Sequence, residues 1–471
     1  MKSETAIFLF QRLALMLCIS ILLPANAQVQ SGEVEADDYV EIPDTAAGRN
    51  MEWVLRVING DTPLGEPSDR FSDRFLEDFK PGELTKELTS IRVDGLEGQP
   101  ARPVSIDQND SEESLTITIR GKGTNRFLSV FLAMDADLRK ISGLVVNIAM
   151  GFDGESDWAA FDGELGNAKG TASFAAYEIV SVKSPDGAMR ARLSPVHAFG
   201  EDKVLPIASA FKIWVLGALA ESVRDGVISL DERVTLYDNI RSLPSGRMRD
   251  DPPGARHRVA TLAASMIAES DNTATDLLIT RMSRERVEAF MRSVTDDPAL
   301  NTPLLTTREM FSLKVPTRPW VRDEYLESDE AHRRSMLAPG GRLFRESPDA
   351  WMLRYWKRPV LVTQAEWFAS CGDLCRAMMR VHELSKVRGL ESVRAALGVN
   401  RGVMSEDPRW SFVGFKGGSE PGVLSFCYIM TRDDGRTFVM AAIQASEQDA
   451  LDQDPFNELA RRGAALLARF E

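Results

Sequence analysis

The stretch that most constrains this chain is the apolar run from Ile213 to Ala220, which follows two polar residues, Ser209 and Lys212. A helix that is apolar all round is buried, so the fold has to enclose this run. Residues three apart share a helix face, so a helix that begins near Ser209 puts the Lys212 amine one turn from the Ser209 hydroxyl. Burial and the positive end of the helix dipole both favour a neutral Lys212. Such an amine can activate a serine for attack on a carbonyl.

A serine and a lysine at this spacing are weak evidence alone, since a capping serine and a snorkelling lysine match it too. Two later stretches strengthen the interpretation: Ser270-Asp271-Asn272, after an amphipathic run, and Lys416-Gly417-Gly418-Ser419, after a short β-type run. The three stretches, in this order, resemble the motifs of the penicillin-recognising serine hydrolases, most closely the class A β-lactamases. The resemblance implies a helical lobe beside an antiparallel sheet flanked by helices.

The resemblance also implies catalytic roles for four residues. Ser209 attacks the carbonyl of an amide or ester and becomes acylated, and Lys212 accepts its proton. Ser270 passes that proton to the leaving group. Lys416 supplies a positive charge for a substrate carboxylate and for Ser270.

Substrate binding is assigned by the same resemblance to Asn272, Gly418 and Ser419. Asn272 binds an amide carbonyl, while the backbone N–H groups of Ser209 and Ser419 form the oxyanion hole. Gly417 stands where the family usually has a hydroxyl residue, which removes one hydrogen bond to a carboxylate. This departure makes recognition of penicillin-type carboxylates doubtful.

Release of the acyl group is the second departure. Class A enzymes use a glutamate in the sequence Glu-x-x-Leu-Asn to activate a water. Glu309 is the only carboxylate near the corresponding place in this chain, and it is not followed by the asparagine that would help to position a water. Glu309 is either a deacylation base or the partner of Arg308 or another arginine, and the ion pair is favoured because paired carboxylates outnumber catalytic ones. We therefore predict a long-lived acyl-enzyme with penicillins.

An insertion from Asn301 to Ala365 separates the second and third motifs, and it is rich in aromatic and basic residues. Long insertions commonly lie over a site, so it is either a substrate-covering lid or a packed surface excursion or oligomer contact. After it, Ser370 and Asp373 form a predicted helix-capping pair.

The N-terminus reads as an export signal. Lys2 and Arg12 precede an apolar core, and Ala25-Asn26-Ala27 supplies small residues for cleavage after Ala27. We expect a secreted or periplasmic protein, since this apolar core is too short for a membrane anchor. No later segment predicts stable membrane insertion.

The remaining chain predicts an α+β protein of two domains. Residues 28–48 form a flexible lead-in, 49–150 a first domain, 151–170 a linker rich in Gly, Asp and Ala, and 171–471 the hydrolase-like domain. The first domain has helical periodicity around Trp53 and Phe75, followed by strands near 115–119, 127–132 and 141–148. It resembles the cone-like fold of the nuclear-transport-factor-2 and polyketide-cyclase type.

The pairing of these two domains resembles the two-domain, esterase-like proteins encoded in clavulanic acid biosynthesis clusters. The first domain lacks a convincing acid and base, so a role in shaping the cleft is favoured over binding or catalysis of its own.

Composition limits the kinds of partner and cofactor that the protein is expected to bind. A formal net charge of −14 argues against nucleic acid. The four histidines lack ligand spacing, so no metal and no cofactor is expected. Cys371 and Cys375 could pair in an oxidising compartment, although four residues apart on a helix is awkward, and Cys427 reads as a buried strand residue.

The sequence therefore predicts an exported serine hydrolase that acts on a small molecule with an amide or ester carbonyl. The alternatives are a true β-lactamase, a cell-wall peptidase or esterase, and a non-catalytic protein that binds a ligand or the cell wall. The oligomeric state and the natural substrate stay open.

Overall fold

A computed structural model describes residues 40–471 apart from 78–80, 97, 107–111, 123–126, 150–156, 185, 405–406 and 408. The chain divides into two compact units, with the boundary between Glu155 and Ser156. The predicted signal peptide and residues 28–39 of the predicted lead-in lie outside the described residues. In the part that is described, no helix combines the length and the apolar character needed to span a bilayer.

Unit 1 places helices before an antiparallel sheet. The helices are α1 (Ala46–Asn59), α2 (Asp73–Leu76) and α3 (Pro81–Ser90). The sheet has the order β1-β2-β3-β4, with β1 (Ala101–Ile106), β2 (Ser114–Gly121), β3 (Phe127–Met134) and β4 (Ile141–Ala149).

Local chemistry explains where these elements begin and which face they bury. Thr45 caps α1 by accepting a hydrogen bond from the Gly48 N–H, so this helix begins within the predicted lead-in. Its buried Trp53 and Val54 join a core with β2, whose residues alternate between buried and half-buried. The α+β class predicted for this region is confirmed, whereas β1 was not predicted from the sequence.

Unit 2 is built on a five-stranded antiparallel sheet of order β11-β12-β13-β5-β6. Its strands are β5 (Thr171–Lys183), β6 (Met189–Phe199), β11 (Trp410–Glu420), β12 (Val423–Arg432) and β13 (Thr437–Ala445). Two small ribbons pair β7 (Leu205–Pro206) with β10 (Phe368–Ala369) and β8 (Arg233–Thr235) with β9 (Arg256–Arg258).

Helices cover both faces of this sheet. In chain order they are α4 (Trp158–Asn167), α5 (Lys212–Arg224), α6 (Val259–Ala268), α7 (Asn272–Met282), α8 (Arg284–Val294), α9 (Thr307–Lys314), α10 (Pro319–Glu327), α11 (Glu330–Leu337), α12 (Ala350–Arg354), α13 (Cys371–Ser385), α14 (Glu391–Val399) and α15 (Gln453–Ala468). The helical lobe and the flanked antiparallel sheet predicted for this region are therefore confirmed.

Alternating strand residues divide the apolar interior of unit 2 into two cores. Ala441 and Ile443 of β13 face the core that contains α5, while Met440 and Ala442 face α4 and α15. Helix α4 lies within residues 151–170, which the sequence assigned to a linker. Its buried Phe161 explains the difference, because it packs on the sheet and fixes a segment whose composition favours a loop.

The insertion is folded into helices α9 to α12. Apolar residues from each of them belong to the same core as α5. Its far end also approaches the start of the first motif, because Val362 packs against Ala208 and Val423. Most of the insertion is therefore packed, in agreement with the interpretation as a packed excursion. Residue 362 lies beside the residue that precedes Ser209, which is where a lid would have to be.

The three cysteines in the described part of the chain, Cys371, Cys375 and Cys427, are buried and free. Cys371 and Cys375 lie one turn apart on α13 and contact different neighbours, Ser173 and the Ala175 carbonyl. The pairing considered from the sequence is thus not formed. Ser370 and Asp373 form the capping box expected at the start of α13.

Candidate active site

Ser209 lies in a single 3-10 turn, Ala208–Phe211, that leads directly into α5. Ala208 has φ 44°, a left-handed conformation that is unfavourable for a residue with a Cβ. The turn is fixed from two sides: the Ile207 N–H donates to the Trp367 carbonyl at 2.8 Å, and the Ser425 hydroxyl donates to the Ile207 carbonyl at 2.6 Å. These bonds hold the serine at the mouth of the buried helix.

Lys212, the first residue of α5, is fully buried and contacts four oxygens. Its Nζ lies 3.2 Å from Ser209 Oγ, 3.0 Å from Ser270 Oγ, 2.6 Å from the Ser270 carbonyl and 2.6 Å from Asn272 Oδ1. The first and second motifs therefore meet at this amine.

The types of these oxygens indicate where a lone pair on Lys212 can point. The Ser270 carbonyl and Asn272 Oδ1 only accept hydrogen bonds, and they are the two shortest contacts. A neutral amine has two N–H groups and one lone pair, so these acceptors use both N–H groups. The lone pair is then directed towards the hydroxyls of Ser209 and Ser270, which can donate.

Electrostatics favour that neutral form. Burial, and then the nearby Lys416 charge, hold the pKa of Lys212 well below its usual range, against the opposite effect of Asp276 and Asp271. Burial lowers the pKa of Lys416 to about 7. The site thus contains two buried lysines that lose their protons far more readily than lysines in water.

The second motif forms the turn before α7. Ser270 has φ 53°, and its carbonyl accepts from the Ser245 hydroxyl at 2.7 Å as well as from Lys212. Asp271 caps α7 and accepts from the N–H groups of Ala274 and Met248. These bonds give Asp271 a structural role, because they fix the strained turn that directs Ser270 towards both lysines.

The third motif lies on β11, an edge strand beside the nucleophile turn. Lys416 Nζ lies 3.1 Å from Ser270 Oγ, which places a lysine on either side of that hydroxyl. A Cβ on Gly418 would lie 2.7 Å from the Ser209 nitrogen, so only glycine lets the strand approach this closely. Ser419, the next residue, is exposed.

The packing around residue 417 favours a glycine there, which the motif alone did not reveal. A Cβ at this position would lie 2.7 Å from the Phe415 ring. The ring occupies the space that a hydroxyl side chain would need. The missing hydroxyl is therefore part of how this strand packs.

Glu309 lies outside the bonded network of Ser209, Lys212 and Ser270. Its carboxylate accepts two hydrogen bonds from Arg284, at 2.8 and 2.9 Å, and one from the Thr306 N–H at 2.8 Å. It therefore has the arginine partner that the sequence analysis favoured, although the partner is Arg284 rather than Arg308.

Asp276 is a buried carboxyl in this region that the sequence analysis missed. It accepts from the Thr307 N–H and hydroxyl and from the Arg308 N–H, and thus ties α7 to the start of α9. Burial raises its pKa to about 7. Only its position one turn after Asn272 could have drawn attention to it.

A third buried lysine, Lys314, lies between two carboxylates at the end of the third-motif strand. Its Nζ is 2.9 Å from Glu366 and also contacts Glu420, the last residue of β11. All three side chains are almost fully buried. Burial, and then the Glu366 charge, raise the pKa of Glu420, while the two carboxylates outweigh burial and raise the pKa of Lys314. We call this group the Lys314 cluster.

Comparison with known proteins agrees with the architecture. Residues 194–319 match the family model described as the β-lactamase enzyme family, and residues 42–137 match the one described as the ORF 12 gene product N-terminal domain. The predicted β-lactamase-like domain and the presence of a second, N-terminal domain are thereby confirmed. The third motif lies beyond the matched residues. A search of curated proteins found no match.

Solved structures with similarity to the chain include β-lactamases and a protein described as PBP-A. A structure of PBP-A is 15% identical, and a β-lactamase from Sphaerobacter thermophilus is 19% identical. Both alignments cover 66% of this chain and 96% of the other, with a TM-score of 0.43. An ancestral class A β-lactamase is 16% identical, over 66% of this chain and 98% of its own, with the same TM-score.

Proposed function

We propose that unit 2 is a serine hydrolase that cleaves an amide or ester through an acyl-enzyme on Ser209. The observation that carries this proposal is the position of the Lys212 amine, buried, with a depressed pKa, and within hydrogen-bond distance of the Ser209 and Ser270 hydroxyls. A serine nucleophile needs such a base within reach of its hydroxyl.

Acylation follows from this arrangement. Ser209 Oγ attacks the carbonyl carbon while its proton passes to Lys212, and the carbonyl oxygen becomes an oxyanion held by the N–H groups of Ser209 and Ser419. When the tetrahedral intermediate collapses, the proton moves through Ser270 to the leaving oxygen or nitrogen. Lys416, on the other side of Ser270, makes that hydroxyl a better donor. Asn272 retains a second amide hydrogen for a substrate carbonyl, since only one is used by Leu243.

The substrate class is narrowed by the third motif. A hydroxyl side chain at residue 417 would have to displace the Phe415 ring. With glycine at this position, a substrate carboxylate has Lys416 but loses one hydrogen-bond donor. At neutral pH Lys416 is itself only partly charged, because its pKa is about 7. These features favour esters without a carboxylate over penicillins.

Deacylation is the step that separates this proposal from a true β-lactamase. Both Glu309 oxygens are held by Arg284, so this carboxylate has no free oxygen directed at a water beside Ser209. A general base needs hydrogen-bond reach to its water. We propose slow release of penicilloyl groups and faster release of acyl groups that leave room for water from another direction.

Export completes the proposal: residues 1–27 act as a cleavable signal, and the mature protein is secreted or periplasmic. The mass of the protein recovered from the periplasm tests this directly. Recovery of the uncleaved chain from the cytoplasm would contradict it.

The test of the hydrolase proposal is intact-mass spectrometry after exposure to a panel of penicillins, cephalosporins and simple esters. We expect a covalent adduct in the wild-type protein and none in Ser209→Ala. Ser411→Ala, which removes a β11 hydroxyl bonded to the Thr431 carbonyl, is the matched control and should label normally. No adduct with any member of the panel would instead support a protein that only binds its ligand.

A further inference from the structure

Residues 351–358 of the insertion form a surface that the proposed hydrolase chemistry does not use. Trp351, Met352 and Tyr355 are 71%, 44% and 56% exposed. Leu353 is buried in the core of unit 2 and Trp356 packs against that core, so the segment is anchored while Trp351 and Tyr355 face outwards. Trp351 and Tyr355 have their ring centroids 5.1 Å apart. We call residues 351–358 the aromatic-basic segment.

The charge of this segment is opposite to that of the chain. Arg354, Lys357 and Arg358 are exposed, and no acidic residue occurs from 350 to 361, although Asp349, which caps α12, directly precedes this range. The whole chain has a net charge of −14. Arg354 lies over the Tyr355 ring, 5.9 Å from its centroid. The exposed rings are therefore interleaved with three cations that form no ion pair within the described residues.

Another exposed tryptophan in the same insertion has different surroundings. Trp320, on α10, is 64% exposed, but acidic residues follow it at 323 and 324. Arg322 pairs with Asp323 at 2.8 Å, so the charges around Trp320 are balanced. Exposure of an aromatic ring alone thus does not distinguish the aromatic-basic segment; its combination with unpaired cations does.

We propose that the aromatic-basic segment docks unit 2 on a phospholipid bilayer that contains anionic lipid. Tryptophan and tyrosine prefer the headgroup level of a bilayer, and arginine and lysine are attracted to its anionic lipids. A stable protein interface commonly buries about 800 Å² on each partner, formed by some 20–30 residues, and the eight residues of this segment are too few. A few aromatic residues and cations are sufficient for peripheral membrane contact.

Docking at this segment would bring the candidate active site to the membrane surface. The chain leaves the segment at Pro359, which lies against Gly422, and reaches Val362, which packs on Ala208 beside the nucleophile. The proposal does not depend on hydrolysis, because binding to vesicles is measured without a substrate.

Co-sedimentation of the full chain with vesicles tests the proposal. We expect binding to phosphatidylcholine mixed with phosphatidylglycerol, no binding to phosphatidylcholine alone, and weaker binding as salt is raised. Trp351→Ser with Tyr355→Ser should lower the partition coefficient by at least about tenfold. Lys357→Gln and Arg358→Gln should each lower it about fivefold. The matched control, Trp320→Ser, should bind like the wild type.

Several outcomes would overturn the proposal. These are equal binding to both vesicle types, the same loss in Trp320→Ser, retention on an acidic polysaccharide without vesicle binding, or a dimer in light scattering that Trp351→Ser dissociates. Melting curves show whether each variant is folded. Quenching of the wild-type tryptophan fluorescence by brominated phosphatidylglycerol needs no variant, and its absence would also contradict membrane docking.

Discussion

Two lysines of unit 2, Lys212 and Lys314, are equally buried, yet their surroundings move their pKa values in opposite directions. The atoms that contact the Lys212 amine are neutral oxygens. The charged group with the largest effect on its pKa is another lysine, Lys416. Lys314 contacts the carboxylates of Glu366 and Glu420 directly. Burial therefore does not by itself decide whether a lysine is a base.

The charge of the contacting groups therefore distinguishes a candidate base, Lys212, from a structural cation, Lys314. Burial disfavours the ammonium form of both lysines, but only at Lys314 do contacting carboxylates offset that penalty. Lys212 is consequently available to accept a proton. Lys314 instead binds α9 to the end of the strand that contains Ser419.

The largest effect is expected for Lys212→Met. This change removes the proton acceptor of Ser209, and a positioned general base contributes roughly 10²–10⁴ in rate. We expect the rate of covalent labelling of Ser209 to fall by about a thousandfold, measured by intact mass against time. A labelling rate within about threefold of wild type would mean that another group is the base.

The corresponding change in the other region is Lys314→Met. It leaves two buried carboxylates without a cation, and breaking a buried pair in this way costs about 3–5 kcal/mol. We expect that loss in the free energy of unfolding from denaturant curves, with a labelling rate of the folded protein close to wild type. A large loss of labelling at full stability would show that Lys314 has a catalytic role.

Glu420→Gln tests the protonation state of the second carboxyl group in the Lys314 cluster. The folded pKa of Glu420 lies above its unfolded value, so its contribution to stability is complete below about pH 4.3 and is lost as pH rises through the folded pKa. We expect Glu420→Gln to flatten this decline in melting temperature with pH, and to recover part of the stability lost in Lys314→Met. An unchanged pH slope would show that Glu420 is ionised in the folded protein.

A smaller effect is expected from the titration of Lys416. Its pKa of about 7 means that its positive charge disappears as pH rises above neutrality. For an ester that bears a carboxylate, kcat/KM should fall by about fivefold between pH 7 and pH 8. The matched neutral ester should decline less, because it loses only the effect of Lys416 on Ser270. An equal decline for both esters would show that Lys416 does not bind the substrate carboxylate.

The smallest catalytic effect is predicted for Glu309→Gln. Glu309 is engaged by Arg284, so its loss should change the rate of deacylation by less than about threefold. Its cost appears in stability, at roughly 1–3 kcal/mol for a partly screened pair that includes a helix-capping bond. Rapid steady-state hydrolysis of a penicillin that Glu309→Gln abolishes, with acylation retained, would make the protein a working β-lactamase.

The sequence predicted those parts of the site that lie in contiguous motifs. Ser209, Lys212 and Ser270 are each in a short stretch with a recognisable spacing, and the structure brings their side chains within hydrogen-bond distance. The short β-type run before Lys416 likewise lies in strand β11. Local patterns were sufficient wherever local residues determine the geometry.

The remaining features depend on contacts between distant residues. Lys314, Glu366 and Glu420 come from three separate segments, and no sequence spacing indicates that they meet. Helix α4 lies in a Gly- and Ala-rich stretch whose propensity favours a loop, and it forms because Phe161 is buried against the sheet. Phe415 explains Gly417 only after the strand is built.

The central claim, that a neutral Lys212 activates Ser209, is tested most directly by the pH dependence of labelling with a neutral fluorophosphonate. If the pKa of Lys212 is held well below the usual lysine value of about 10.4, the rate of Ser209 labelling reaches its plateau well below that pH and falls only at lower pH. A rate that keeps rising about tenfold per pH unit until about pH 10 would show an ordinary, charged lysine and would contradict the account.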